Sequence, residues 1–114
     1  MHEELLQRLD ALGDNDHDFE IELIQIFLSE LKKNLDALDE ASQRGDRETA
    51  ARVSHSLKGS ALNVGAKEFS ELCEQLERKL RNHSDDPQLR AAMIQEYHSL
   101  DRVLKARIKT LQSS

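Results

Sequence analysis

Within the segment "HSLKGSALNVGA", residues 55–66, His55, Lys58 and Gly59 fall within little more than one helical turn. An imidazole has an ordinary pKa of about 6.5, and its neutral form is a good nucleophile toward phosphorus near neutral pH. An ammonium beside it would stabilise a dianionic phosphoryl group on Nε2 through charge-assisted hydrogen bonds. A glycine next to both would leave clearance for another protein's active-site loop to bring an acceptor carboxylate in line with the phosphorus. An interior helical Gly costs roughly 1 kcal/mol relative to Ala, and the chain uses Gly at only 4 of its 114 positions. Something other than helix stability therefore has to place Gly59 there. The competing reading is an ordinary helix surface, where an exposed His followed by a Lys is common.

Periodicity decides which way these residues face. At roughly 100° per residue, Ala50, Val53, Leu57 and Ala61 form one apolar stripe, and His55 lies roughly 150° away from it, toward solvent. Lys58 and Gly59 flank the imidazole on either side, one turn further along. Ala51 and Leu62 bracket it along the helix, leaving small or apolar surface for a docking partner. A glycine on the solvent side is not explained by core packing.

The elements that must position this helix follow from the same pattern. A short first helix over residues 2–12 carries Leu5, Leu9 and Leu12 on one face and stops at "GDNDHD". Asp16 can cap a long helix over 17–44 with Ile24, Phe27, Leu28, Leu31, Leu35 and Leu38 inward. Gly45 and Asp46 then end it and start the histidine helix, 47–64. After Gly65, a helix over 66–82 buries Phe69, Leu72, Cys73, Leu76 and Leu80. Asp86 and Pro87 open the last helix, 87–112, with Leu89, Met93, Tyr97, Leu100, Leu104, Ile108 and Leu111 inward. The expected fold is one all-α domain, an antiparallel up-down-up-down four-helix bundle with the short N-terminal helix across one end.

Composition removes several function classes. A net charge of −6 with basic residues scattered among acids disfavours nucleic acid and anionic membrane surfaces as partners. No apolar run or signal-like N-terminus stands out, so a cytoplasmic location is expected. Cys73 is the only cysteine, which excludes an intrachain disulfide and a thiolate metal cluster. His2, His17, His83 and His98 show no ligand spacing and read as surface residues. No histidine has a Glu three positions before it, as a di-metal carboxylate bundle requires. There is no G-x-x-x-x-G-K loop for ATP and no supported Ser-His-Asp arrangement. No metal site or bound cofactor is expected, and the chain reads as a carrier rather than a kinase.

The segment resembles the signature of histidine-containing phosphotransfer (HPt) domains: His, any residue, Leu-Lys-Gly, small residues, then Gly-Ala. His55, Leu57, Lys58, Gly59, Ser60, Ala61, Asn63, Gly65 and Ala66 match it, and the likeness extends to Phe27, Leu31, Gly45, Asp46 and "ELCEQLE" at 71–77. Ser54 departs from it, standing where the family more often has Ala. The resemblance implies a four-helix bundle whose His55 takes a phosphoryl group from a receiver-domain aspartate and passes it to that of another response regulator. Lys58 then stabilises the phosphoryl group and Gly59 gives clearance. The implied partners are receiver domains of a hybrid sensor kinase and a response regulator, with Mg²⁺ on the receiver and the chain itself a monomer. The alternative is a non-phosphorylated helical adaptor docking receivers or other helices. A phosphoacceptor domain of a chemotaxis-type kinase would need kinase modules in a longer parent chain.

Two further expectations concern neighbouring helices. If the third and fourth helices turn back at Gly65, Glu77 lies about as far past the turn as His55 lies before it. It could therefore accept a hydrogen bond from Nδ1, leaving Nε2 free; otherwise it is a solvated flank residue or a partner of Arg81. Phe19, Leu23 and Ile26 form a second apolar strip on the long helix. The first helix, through Leu5, Leu6, Leu9 and Leu12, is expected to cover it, and any uncovered remainder would be a docking surface for a receiver domain.

Overall fold

Asp16, Asp46 and Asp86 each open a helix by the same device: a side-chain oxygen accepts from the backbone N–H three residues on, at 3.0, 3.1 and 3.0 Å. In the computed structural model, which describes residues 2–113, the helices are α1 (Glu3–Gly13), α2 (His17–Gln43), α3 (Arg47–Val64), α4 (Lys67–Arg81) and α5 (Pro87–Gln112). Each end lies within one residue of the sequence expectation. None of these helices is long and apolar enough to cross a membrane.

The connections at 14–16, 44–46, 65–66 and 82–86 are too short to do more than reverse the chain, so successive helices lie side by side. Packing runs α2 on α3, α3 on α4, α4 on α5, and α5 back on α2, which closes the bundle in up-down-up-down order. The α3–α4 pair makes the most extensive contact. Small buried residues on α3, namely Ala50, Ala51, Ser54 and Ala61, leave room for Phe69, Cys73, Leu76 and Leu80 of α4. Burial pushes the Cys73 thiol up to about 12, so it stays protonated and serves as packing. Two long helices and two shorter ones give a rod of 49 × 20 × 19 Å.

The turn between α3 and α4 sets their register. Gly65 has φ 79°, and a Cβ there would also meet Glu4 Cγ at 3.3 Å, so both the conformation and the neighbour call for glycine. Around it, Ala66 N–H donates to the Ala61 carbonyl at 2.9 Å, and Arg8 Nη1 of α1 donates to the Leu62 carbonyl at 3.1 Å.

Two points depart from the sequence reading, and a third lies outside it. Leu12 lies outside the packed face defined by Leu5 and Leu9: it sits in the last turn of α1, where the chain leaves toward α2, and is exposed. His2 is not a surface residue; its side chain is nearly buried, with Nε2 3.0 Å from Ser99 Oγ and 3.6 Å from Glu96 on α5. Glu20, 2% exposed, is held by Arg107 of α5, whose Nε and Nη2 reach its two oxygens at 2.8 and 3.1 Å. The same guanidinium reaches Asp10 of α1 at 3.2 Å, tying three helices at one end of the rod.

Removing one partner of such a pair leaves the other charge buried and unpaired. Arg107→Ala is therefore expected to destabilise the domain by about 3 kcal/mol, read as a lower urea midpoint with an unchanged slope. A loss below about 0.5 kcal/mol, the size of an ordinary surface substitution, would show that water replaces the guanidinium without penalty.

Candidate functional site

His55 stands on the face of α3 that looks outward beside α4, with 61% of its side chain exposed. Glu77, reaching across from α4, has only 13% of its side chain exposed. The imidazole Nδ1 lies 3.1 Å from Glu77 Oε1 and 3.2 Å from Oε2, so it straddles the carboxylate. Arg81 Nε donates to Oε2 at 2.9 Å from the next turn of α4, and Lys58 Nζ lies 3.9 Å from Oε1. One carboxylate thus gathers an imidazole and two cations. Burial alone would raise the Glu77 pKa, but the hydrogen bonds from Arg81 and His55 more than offset it, and the group lies below its ordinary range. With Glu77 ionised, it is an acceptor only, so Nδ1 must carry a proton, and in the neutral ring the lone pair is then on Nε2.

Both sequence readings of Glu77 therefore hold in one geometry: it contacts the histidine and it pairs with Arg81. Lys58 lies within reach of the imidazole through this shared carboxylate. Gly59 is exposed, and a Cβ built on it would meet no atom within 4 Å. Nothing inside the domain requires glycine at that position.

The surface around the site differs from the expectation in two respects. Ala51 is 1% exposed and cannot contact a partner. It lies only about 40° around the helix from His55, but the side-by-side fit of α4 on α3 covers that edge of the stripe. Leu62, at 52%, remains exposed as expected. The second strip on α2 is not covered: Phe19 is 45% and Ile26 54% exposed, and Leu23 is partly buried. The cause lies in α1, which turns Leu5 and Leu9 into the core and sets Glu4 and Arg8 against the end of α3. Its buried apolar face is too narrow to reach the strip as well. Counting equal distances from the 44–46 turn places Ile26 about level with Leu62, roughly 10–14 Å along the bundle from His55.

A family model, "Hpt domain", matches residues 22–113. The chain belongs to the Hpt domain family. Histidine phosphotransfer within a phosphorelay is accordingly its function, and members of the Hpt family are phosphocarriers rather than kinases that interact with receiver domains. Among solved structures, the chain is similar to histidine-containing phosphotransfer protein B (HptB) from Pseudomonas aeruginosa PAO1, with 25% identity, a TM-score of 0.83, and coverage of 91% of this chain and 92% of that one. It shares its fold with the HPT domain of a sensor hybrid histidine kinase from Shewanella, at 18% identity and a TM-score of 0.63, covering 93% of this chain and 91% of that one. No curated protein sequence matches the chain. The Hpt bundle is the architecture derived above, with five helices and no strand among the described residues.

Because the space beside Gly59 is empty within this Hpt domain, Gly59→Ala should raise stability by about 0.5–1 kcal/mol through helix propensity alone. Thermal unfolding of the isolated domain measures this. A loss of stability would mean that an intramolecular contact, rather than a partner, requires the glycine.

Proposed function

We propose that His55 is the phosphorylated residue of this Hpt domain. The observation that carries the reading is an exposed imidazole held by Nδ1 on a largely shielded carboxylate, with no partner on Nε2 among the described residues and with Lys58 and the Gly59 gap beside it. In the forward step, the Nε2 lone pair attacks the phosphorus of a receiver's aspartyl phosphate. The Nε2–P bond forms, the P–O bond to the aspartate breaks, and the aspartate leaves as a carboxylate. The Nδ1 proton stays in place, so the ring becomes positively charged against Glu77, which stabilises that charge. Transfer to a second receiver is the reverse step with a different aspartate.

Lys58 is placed to leave Oε1 of Glu77 and hydrogen-bond the phosphoryl oxygens, an exchange its flexible stem permits. Gly59 keeps the approach to phosphorus open. Mg²⁺ is assigned to the receiver. Ile26, Phe19 and Leu62, exposed at the same end of the bundle, form the apolar surface on which a receiver docks, with the protein acting as a monomer in the cytoplasm.

Incubation with a phosphorylated receiver should give an acid-labile, alkali-stable label on the wild-type protein and none on His55→Gln. An unlabelled wild type across several donors would favour the adaptor reading, and a labelled His55→Gln would move the site elsewhere. Lys58→Ala should slow transfer by about tenfold or more without changing the fold. Ile26→Asp should weaken transfer from the receiver while leaving labelling by a small donor such as phosphoramidate unchanged. Equal loss with both donors would remove Ile26 from the docking surface.

A further inference from the structure

Arg81 has no place in the transfer step described above, yet it makes the shortest contact in the cluster, Nε to Glu77 Oε2 at 2.9 Å, against 3.1 and 3.2 Å for the imidazole. It stands one turn beyond Glu77 on the same face of α4, so the two are held in register by the helix itself. Among the described residues, the charged groups in contact with this cluster are Lys58 from α3 and Glu77 and Arg81 from α4. The neighbouring Arg52 is engaged with Glu48 and Thr49 instead.

A carboxylate that is mostly shielded from water draws compensating positive charge from whatever is nearest. Here the nearest groups are a guanidinium, which stays charged at any ordinary pH, and an imidazole, which does not. The guanidinium can satisfy the carboxylate permanently. Without it, the titratable ring would have to supply more of the missing charge by taking a second proton on Nε2, the atom that must remain a lone pair to attack phosphorus. Lys58 offers weaker compensation, since it sits 3.9 Å away and, on the reading above, leaves for the phosphoryl group.

We infer that Arg81 is a positioning residue of the phosphotransfer site: by gripping Oε2 it fixes the carboxylate plane under Nδ1 and takes up part of its charge, so that the carboxylate draws less on a second proton at Nε2. Glu77 can then orient the ring without disarming it. This rests on His55 being the phosphorylated residue, but its consequence for the imidazole is measurable without any transfer.

The test is the charged fraction of the His55 ring at pH 7, read from its carbon and nitrogen NMR shifts. In Arg81→Ala the ratio of charged to neutral ring should rise about two- to threefold, the change expected for removing one nearby, partly screened cation. Arg81→Lys, which keeps the charge, should bring it back toward wild type. In a Glu77→Gln background, removal of Arg81 should change it little. Labelling by phosphoramidate should fall in Arg81→Ala at pH 7 and recover toward the wild-type rate as the pH is raised; a purely structural defect would persist at every pH. An unchanged ring charge in Arg81→Ala overturns the inference. So does a rise of the same size in the Glu77→Gln background, because Arg81 would then not act through the carboxylate. Failure of wild-type His55 to label at all overturns the carrier reading instead, and leaves the ring titration to report separately.

Discussion

The site depends on one contact across a helix pair, between an imidazole open to solvent and a carboxylate that is not. A phosphocarrier's histidine has to be accessible to other proteins, which exposes it to water and to free rotation. With His55 as the proposed phosphoacceptor, Glu77 resolves that conflict because it is anchored in the α3–α4 groove, where its ionised form is sustained by Arg81 and His55 despite burial. The ring is oriented from the protein side and left open on the partner side.

That contact in turn constrains the bundle. Glu77 meets His55 only if α3 and α4 lie close and in the right register. The closeness comes from Ala50, Ala51, Ser54 and Ala61, which are small where α3 meets its neighbours. The register comes from the two-residue connection at Gly65 and Ala66, pinned by the Ala66–Ala61 backbone bond and by Arg8. Distant elements contribute through rigidity: at one end of the rod, Arg107 binds Glu20 and Asp10 and so fixes α1 and α2 to α5. Ser54 sits in the core with no partner for its hydroxyl among the described residues, and nothing in the structure explains that choice over alanine.

Much of this was legible in the order of residues. Three aspartates mark three helix starts, the α3 stripe puts His55 and Gly59 outward, and equal counting from Gly65 pairs Glu77 with His55. These inferences succeed because each depends on helical period and on a turn too short to shift register. Others depend on how closely two helices approach, which the period does not contain. Ala51 reads as outward by angle and is covered by α4. Phe19 and Ile26 read as a face that α1 would cover, and α1 is committed elsewhere. Arg107 and Glu20 are separated by 87 positions, and no local pattern announces their meeting.

The three groups clustered on Glu77 also set how the domain looks to a partner from a distance. Unloaded, two permanent cations and one carboxylate leave this patch with surplus positive charge on a protein that is acidic as a whole. That surplus can guide an acidic pocket toward the histidine when most of the surface would repel it. On the proposed reading, a dianionic phosphoryl group on the ring would cancel it. The cargo would then extinguish the local field that attracts its donor, leaving the loaded domain freer to leave than the empty one was to arrive.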